Sequence, residues 1–162
     1  AEDVAEVVCE TAEGYVHRLW EPLAAKHCPA NEYAAKFSTP FNMAVAFITG
    51  GAGLEAFCEA TVTHPRVLAL AAKVRYVVDP DNPYPKAYTG HVRMTLKDGR
   101  VFEQRQPHIR GGMHEPLSRE ELERKFHGNA RHGGWSREQA GQCIAWARRL
   151  FDSGLDLSVL AR

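Results

Sequence analysis

The chain is predicted to be an α+β protein, with a small antiparallel sheet that contains a hairpin and helices packed on one face of that sheet. Further helices are predicted at the carboxy-terminal end. Three observations support this class. Alternating apolar residues flank an Asp-Gly pair, apolar runs begin at Ser or Thr followed by Pro, and two capping boxes open the last helices.

The amino-terminal region is predicted to hold little regular structure apart from one element. Residues 3–11 contain a run rich in valine, which is typical of a strand or of the end of a helix. Residues 15–30 are interrupted by Pro22 and Pro29 and are therefore predicted to be irregular.

An apolar helix is predicted next. Ser38 or Thr39 can cap it, Pro40 suits its first turn, and Gly50 and Gly51 end it. Apolar side chains occupy nearly every face of this helix. It is therefore expected to lie between its own sheet and a second domain or subunit, and without that cover to expose a large apolar patch.

The middle of the chain alternates short helices and strands. The sequence GLEAF predicts a helical turn, and a helix capped by Thr63 with Pro65 in its first turn should follow. The sequence RYVVDP predicts a strand that ends in a proline-rich loop. Residues 91–105 then form the hairpin, with Lys97, Asp98 and Gly99 in its turn.

Two capped helices and a short final segment close the chain. Ser118 with Glu121, and Ser136 with Gln139, have the spacing of capping boxes. The second helix carries one apolar stripe, formed by Ala140, Cys143, Ile144, Ala147, Leu150 and Phe151. The segment DLSVLAR ends the sequence.

Composition excludes several classes of protein. The 20 basic and 20 acidic residues cancel, so no net charge favours nucleic acid or an anionic membrane. No apolar run approaches the ~20 residues of a membrane span, and the first residues do not have the pattern expected of a signal peptide. The four scattered cysteines favour reduced thiols and a cytoplasmic protein. The first residue is Ala, which is expected of a processed or excised chain.

The residues alone indicate no self-sufficient active site. Four of the eight histidines lie between positions 108 and 132, but without the spacing of metal ligands, and surface histidines are the simpler interpretation. Ser38 has no nucleophile turn around it and is favoured as a cap. Arg110, in the loop RGGMHEP, is either part of a flexible connection or a carboxylate anchor.

Six segments, in order, resemble the carboxy-terminal part of the MmgE/PrpD family. They are AKFSTPFNMAVAFITGG, GLEAF, HPRVLALAAKV, VRMTLKDGRVFEQR, RGGMHEPLSREELERKF and GGWSREQAGQCI. The resemblance extends over essentially the whole chain. The family includes 2-methylcitrate dehydratase, cis-aconitate decarboxylase and iminodisuccinate epimerase.

The resemblance implies a role for each half of the chain. Residues 1–117 would be the smaller α+β domain, which forms a lid, and residues 118–162 would be helices that pack on a helical domain absent from this sequence. The active site of the family lies between the two domains, and most of its acid–base residues belong to the absent one. No catalytic residue, cofactor or metal is therefore expected in this chain.

The resemblance also implies five substrate-binding positions. Lys36 and Ser38 match the family pattern KFS-x-x-Y, whose aromatic position reaches the active site as a tyrosine in several members. Phe41 occupies that position here, and phenylalanine cannot donate a hydrogen bond. Arg110 and Gly111 match a glycine-rich turn that would anchor a substrate carboxylate. Each polar side chain has a structural alternative: Ser38 as a cap, Lys36 as solvated surface, and Arg110 as a partner of a nearby acid.

Two functions of different classes remain open. The chain is either the lid of a cofactor-independent lyase or isomerase acting on a small di- or tricarboxylate, such as 2-methylcitrate, and inactive alone, or a stand-alone module that binds a small acid or a protein without catalysis. Its expected partners are a small carboxylate and the helical domain or a second subunit. A histidine-rich metal protein is the least favoured alternative.

Overall fold

A mixed sheet of four strands organises the first part of the chain. The computed structural model describes residues 1–150. The strands are β1 (Val4–Thr11), β2 (Val74–Val78), β3 (Gly90–Leu96) and β4 (Val101–Gln106), in the spatial order β2–β1–β3–β4. The chain divides into two compact units, Ala1–Pro116, which contains the sheet, and Leu117–Arg162.

The α+β class is confirmed, but the sheet is not wholly antiparallel as predicted. β1 pairs antiparallel with β3, placing Val7 opposite Met94. It pairs parallel with β2, placing Val7 opposite Val74. A parallel pair needs a long crossover connection, and the helices between β1 and β2 supply it.

The predicted hairpin joins β3 to β4. Gly99 lies in the left-handed region at φ = 87°, which glycine adopts without a steric penalty. Its N–H donates to the Leu96 carbonyl over 3.0 Å, and the Leu96 N–H donates to the Arg100 carbonyl over 2.8 Å. Asp98 supports the turn by accepting a hydrogen bond from the Arg100 N–H.

Six α-helices connect β1 to β2, with additional helical turns between them. The helices are α1 (Glu13–Tyr15), α2 (Leu23–His27), α3 (Glu32–Lys36), α4 (Thr39–Thr49), α5 (Glu59–Val62) and α6 (Pro65–Ala71). A π-helical turn at Val16–Trp20 and a 3₁₀ turn at Leu54–Ala56 complete this layer. None of the described helices is long and apolar enough to cross a bilayer.

The core lies between these helices and one face of the sheet. Val7 and Cys9 of β1 are buried there with Val74 of β2. The helical layer contributes Trp20, Phe41, Val45, Val67 and Leu70. Each large apolar side chain buried in this way stabilises the fold by about 1.5–3 kcal/mol.

The apolar helix α4 is buried mainly by its own unit. It packs against α2, α3, α6 and β2, which bury Phe41, Ala44 and Val45 completely. Among its large apolar side chains Phe47 is exposed, whereas Met43 and Ile48 are partly buried. On this helix the expected apolar patch is therefore reduced to its carboxy-terminal end.

Two local predictions in the helical layer are wrong. Within residues 15–30, Val16–Trp20 and Leu23–His27 form helical turns rather than irregular chain, and Pro22 precedes the first residue of α2. His64, not Thr63, caps α6, because its Nδ1 accepts the Arg66 N–H. The Thr63 hydroxyl instead donates to the Glu59 carbonyl of the preceding helix.

The described part of the second unit, residues 117–150, contains two helices, α7 (Arg119–His132) and α8 (Arg137–Arg148). Both predicted capping boxes are present, at Ser118 and at Ser136. Ala140 of the predicted stripe is buried, and Cys143 and Ile144 are partly buried. Phe151 and the segment DLSVLAR lie outside the described residues.

A buried hydrogen bond links the sheet to the helical layer, and its loss should destabilise the protein. The Trp20 indole N–H donates to the Thr11 hydroxyl over 3.1 Å, and both side chains are buried. Thr11→Val would leave that N–H unpaired, so we expect the free energy of unfolding to fall by about 1–3 kcal/mol. Urea unfolding followed by tryptophan fluorescence measures this change.

Thr11→Ser is the matched control, since it keeps the hydroxyl and removes only a methyl group, at a cost of about 0.8 kcal/mol. Equal losses for the two variants would show that this hydrogen bond does not contribute to stability.

Candidate functional site

The junction between α3 and α4 carries three of the five predicted site residues. α3 ends at Lys36, and the chain then turns through Phe37 into the cap of α4. Asn31 caps the first turn of α3, and Ser38 caps that of α4, so side-chain hydrogen bonds define both helix starts. The junction is thus a rigid feature of the helical layer.

Ser38 is fully buried, and its hydroxyl group has two hydrogen-bond partners. Its hydroxyl oxygen accepts the Phe41 N–H over 3.0 Å, and its O–H donates to the Lys26 carbonyl. The Lys26 ammonium donates to the carbonyls of Phe37 and Arg18, and desolvation there lowers the pKa of this lysine. These contacts give Ser38 a structural role in capping α4.

Phe41 occupies the position where the family pattern has a tyrosine. Its ring is fully buried, with its centroid 6.3 Å from that of Phe57. A ring in this environment contributes packing and has no polar atom to offer to a ligand.

Lys36 differs from both residues because it is exposed. Its Nζ lies 5.9 Å from the centroid of the Phe57 ring, at the outer limit of a cation–π contact. Within residues 1–150, no carboxylate forms an ion pair with this ammonium group. Lys36 is therefore a cation at this junction that an anionic ligand could reach; the exposed Arg18, 5.0 Å from the centroid of the Phe37 ring, is another.

The other two predicted residues lie in the loop that follows β4. Gly111 adopts φ = 87°, and its N–H donates to the Glu115 carbonyl over 2.7 Å. The Arg110 guanidinium donates to the Glu115 carboxylate over 3.0 Å, and 54% of its side chain is exposed. Glu115 is thus the nearby acid that was expected as the structural alternative for Arg110. A substrate carboxylate would have to displace Glu115 from the guanidinium group or bind beside it.

The two groups of residues belong to different elements of this unit. α4 packs against β2, whereas Arg110 follows β4, and these strands are opposite edges of the sheet.

A polar cluster on the open face of the sheet was not predicted. Ring nitrogens Nδ1 and Nε2 of His91 lie 2.7 Å from carboxylate oxygens of Glu10 and Glu103, respectively. The contact with Glu103 has hydrogen-bond geometry, whereas the Nδ1 contact is misaligned for one. Arg105 completes the cluster by donating to Glu10 over 3.3 Å.

This cluster borders a small cavity of about 240 Å³. Asp79, Asn82 and Thr89 also line it. The alternation of apolar and polar residues in β3 could have indicated that His91 lies on the uncovered face of the sheet. That pattern could not reveal the partners of His91, because Glu10 comes to lie opposite His91 only through the pairing of β1 with β3.

In the described part of the chain, no three His, Cys, Asp or Glu side chains converge in a way that could hold a metal ion. His108 and His114, from the histidine-rich region, have ring centroids 4.7 Å apart in the loop after β4. They form a pair rather than a complete ligand set.

Comparison with known protein families identifies the domain. The family model for the MmgE/PrpD C-terminal domain matches residues 1–148. The chain belongs to the MmgE/PrpD family. The predicted resemblance is therefore confirmed, and the match covers both the sheet-containing unit and the two helices that follow it.

Two curated proteins that this chain resembles are both named cis-aconitate decarboxylase. The chain is 34% identical to human cis-aconitate decarboxylase over 103 residues and 33% identical to the mouse protein of that name over 104 residues. Each alignment covers 63% of this chain and 21% of the relative. The chain thus matches about a fifth of the length of these relatives.

The burial of Ser38 predicts a stability defect for Ser38→Ala. This variant removes the cap of α4 and leaves the buried Phe41 N–H and Lys26 carbonyl unpaired, so we expect a loss of about 1–3 kcal/mol in the free energy of unfolding. Thr39→Ala, one position further into the helix, is the control and should cost less than about 0.5 kcal/mol. Urea denaturation compares them; unchanged stability of Ser38→Ala would contradict the capping role.

The cysteines should react with iodoacetamide in a definite order. Hydrogen bonds from the Thr61 hydroxyl and backbone N–H lower the pKa of the Cys58 thiol, whereas burial raises that of Cys9 to about 12. The thiolate is the reactive form, so Cys58 should be alkylated at a lower pH than an ordinary thiol and Cys9 should stay unmodified in the folded protein.

Mass spectrometry of tryptic peptides from pH 6 to 9 gives the rate at each cysteine. Thr61→Val removes the hydroxyl, so it should move the alkylation profile of Cys58 to higher pH. The same profile in this variant and in the parent would contradict the assigned cause.

Proposed function

We propose that this chain is the lid portion of a cofactor-independent lyase or isomerase that acts on a small di- or tricarboxylate. The observation that carries the proposal is the family match over residues 1–148, together with two relatives that are both cis-aconitate decarboxylases. cis-Aconitate is a tricarboxylate, and 2-methylcitrate is a second candidate substrate of the same chemical class.

The proposed chemistry begins beside a carboxylate group. Removal of a proton there, followed by loss of water, loss of carbon dioxide or reprotonation, requires a positioned base and cationic groups that hold the other carboxylates. Lys36 and Arg110 are the predicted site residues that can supply positive charge at the surface of the lid. Ser38 and Phe41 support that surface from the core, since both are fully buried.

The lid is proposed to be inactive alone. In this proposal the two cations hold substrate carboxylates and do not take a proton, and the buried Phe41 offers no acid. In this proposal the acid–base residues come from a helical domain or a second subunit that closes over the substrate.

An NMR titration of the isotope-labelled chain with cis-aconitate tests this function. Amide shifts should concentrate at Lys36 and at Arg110 and Gly111, and sulfate at equal ionic strength should not reproduce them. Arg110→Gln should weaken binding about tenfold or more at the loop, because a charge-assisted hydrogen bond contributes about 1.5–3 kcal/mol. Arg93→Gln, an exposed arginine on the open face of the sheet, is the matched control.

The same spectra report the integrity of cis-aconitate, which should persist unchanged. Conversion of the substrate would contradict the proposed inactivity of the lid alone. A well-dispersed spectrum without shifts at either segment would contradict the roles of Lys36 and Arg110. Shifts produced equally by sulfate would favour a general anion-binding module over a carboxylate enzyme.

A further inference from the structure

Three arginines of the second unit have no acidic partner. Arg124 and Arg131 lie on α7, and Arg137 is the first residue of α8. All three residues are exposed, and within the described part of the chain none of their guanidinium groups forms an ion pair or a hydrogen bond. Arg148 of the same unit differs, because it donates to the Glu123 carboxylate over 2.6 Å. The charge of the three arginines is therefore not neutralised by the described residues.

The geometry of the two helices places these charges around one cavity. Arg124, His127 and Arg131 are three to four residues apart in sequence, so they lie on one face of α7. Together with Trp135 and Arg137 they line a cavity of about 410 Å³. This volume is within the range of about 300–1,000 Å³ that is typical of small-molecule sites. None of the residues that line the cavity is acidic.

Hydrogen bonds order the turn between the two helices. The Gly134 N–H donates to the Arg131 carbonyl over 3.0 Å, and the Trp135 N–H donates to the Ala130 carbonyl over 2.9 Å. The Trp135 ring packs edge-on against Phe126, with 6.4 Å between the ring centroids, and 47% of Trp135 remains exposed. Trp135 is thus held in place at the cavity, with part of its surface available to a ligand.

Gly128 leaves space in the wall of this cavity. It lies within α7 and lines the cavity. A Cβ atom built at this position would meet no atom within 4 Å, so the space beside it is open. Glycine weakens a helix interior relative to other residues, and here its lack of a side chain enlarges the cavity.

The side chains around the cavity favour phosphate groups. A guanidinium group binds phosphate through two parallel N–H donors. A phosphate group has three strong acceptor oxygens and can therefore accept from more than one arginine. A phosphate monoester carries about 1.5–2 negative charges at neutral pH, so two linked phosphates match three arginines better than one does. The first backbone N–H groups of α8 add further donors for an anion.

We propose that the cavity between α7 and α8 binds a ligand that carries a diphosphate group, supplied either by free pyrophosphate or by a nucleotide such as ADP. Arg124, Arg131 and Arg137 bind the phosphate oxygens. In a nucleotide, the base stacks on the exposed part of Trp135. The site lies within the second unit and shares no residue with the predicted carboxylate contacts, so it does not depend on the proposed lid function.

Isothermal titration calorimetry of the full chain with pyrophosphate and with ADP, at one ionic strength, tests the site. Arg131→Gln should weaken the binding of both ligands about tenfold or more, because it removes a charge-assisted contact. Lys125→Gln is the matched control, since it removes one positive charge from an exposed residue of α7 that does not line the cavity. It should change either affinity by less than about twofold, because solvent screens exposed charges.

Gly128→Leu tests the cavity without a change of charge. Leucine is a better helix former than glycine, so α7 should be retained, which far-UV circular dichroism checks. The leucine side chain would occupy the open space, and both ligands should bind about tenfold or more weakly. Unchanged binding in this folded variant would contradict binding in the cavity.

Trp135→Leu distinguishes the two sources of the diphosphate group. Tighter binding of ADP than of pyrophosphate, with only ADP weakened in this variant, would identify a nucleotide. Equal binding of the two ligands, with neither weakened in this variant, would identify free pyrophosphate. Both results support the diphosphate site.

Three results would overturn the proposal. They are the absence of binding of either ligand to the parent chain, equal losses for Arg131→Gln and Lys125→Gln, and displacement of pyrophosphate by cis-aconitate at equal concentration. The last result would show that the arginines bind carboxylates as well as phosphates.

Discussion

The backbone hydrogen bonds on both sides of β1 are the interaction on which the rest of the first unit depends. One edge of β1 pairs antiparallel with β3, and its other edge pairs parallel with β2. The parallel pair requires the chain to return to the starting end of the sheet, and residues 12–73 make that return. Their helices cover a single face, where Val7 and Cys9 supply the central apolar contacts.

The uncovered face is consequently a surface of paired charges. Arg75 bonds to Glu6, and Arg105 to Glu10, in each case between neighbouring or nearby strands. Exposed ion pairs of this kind contribute little stability individually, about 0–1 kcal/mol. These ion pairs mainly orient long side chains, which they hold in defined positions at the edge of the sheet and over the small cavity beside His91.

Local hydrogen bonds order both groups of candidate site residues. Ser38 and Lys26 form those of the α3–α4 junction, and Glu115 forms those of the loop after β4. Each presents one cation, Lys36 or Arg110, on a well-defined backbone. Lys36 is the last residue of α3, and Arg110 follows β4.

The sequence by itself determined the features whose signals lie within one turn of chain. Asp98 and Gly99 specify the hairpin. The first turn of α4 is set by Ser38 and Pro40, its end is set by Gly50, and capping boxes start α7 and α8. Each of these features depends on hydrogen bonds or backbone preferences of residues that are at most four positions apart.

Only the tertiary structure decided the parallel partner of β1, the short helices of residues 15–30, the buried role of Phe41, and the meeting of His91 with Glu10. These depend on contacts between segments far apart in the chain, such as Val7 with Val74. Local pattern states which face of a strand is apolar, but not which strand lies beside it. That choice follows from the packing of the whole helical layer against the sheet.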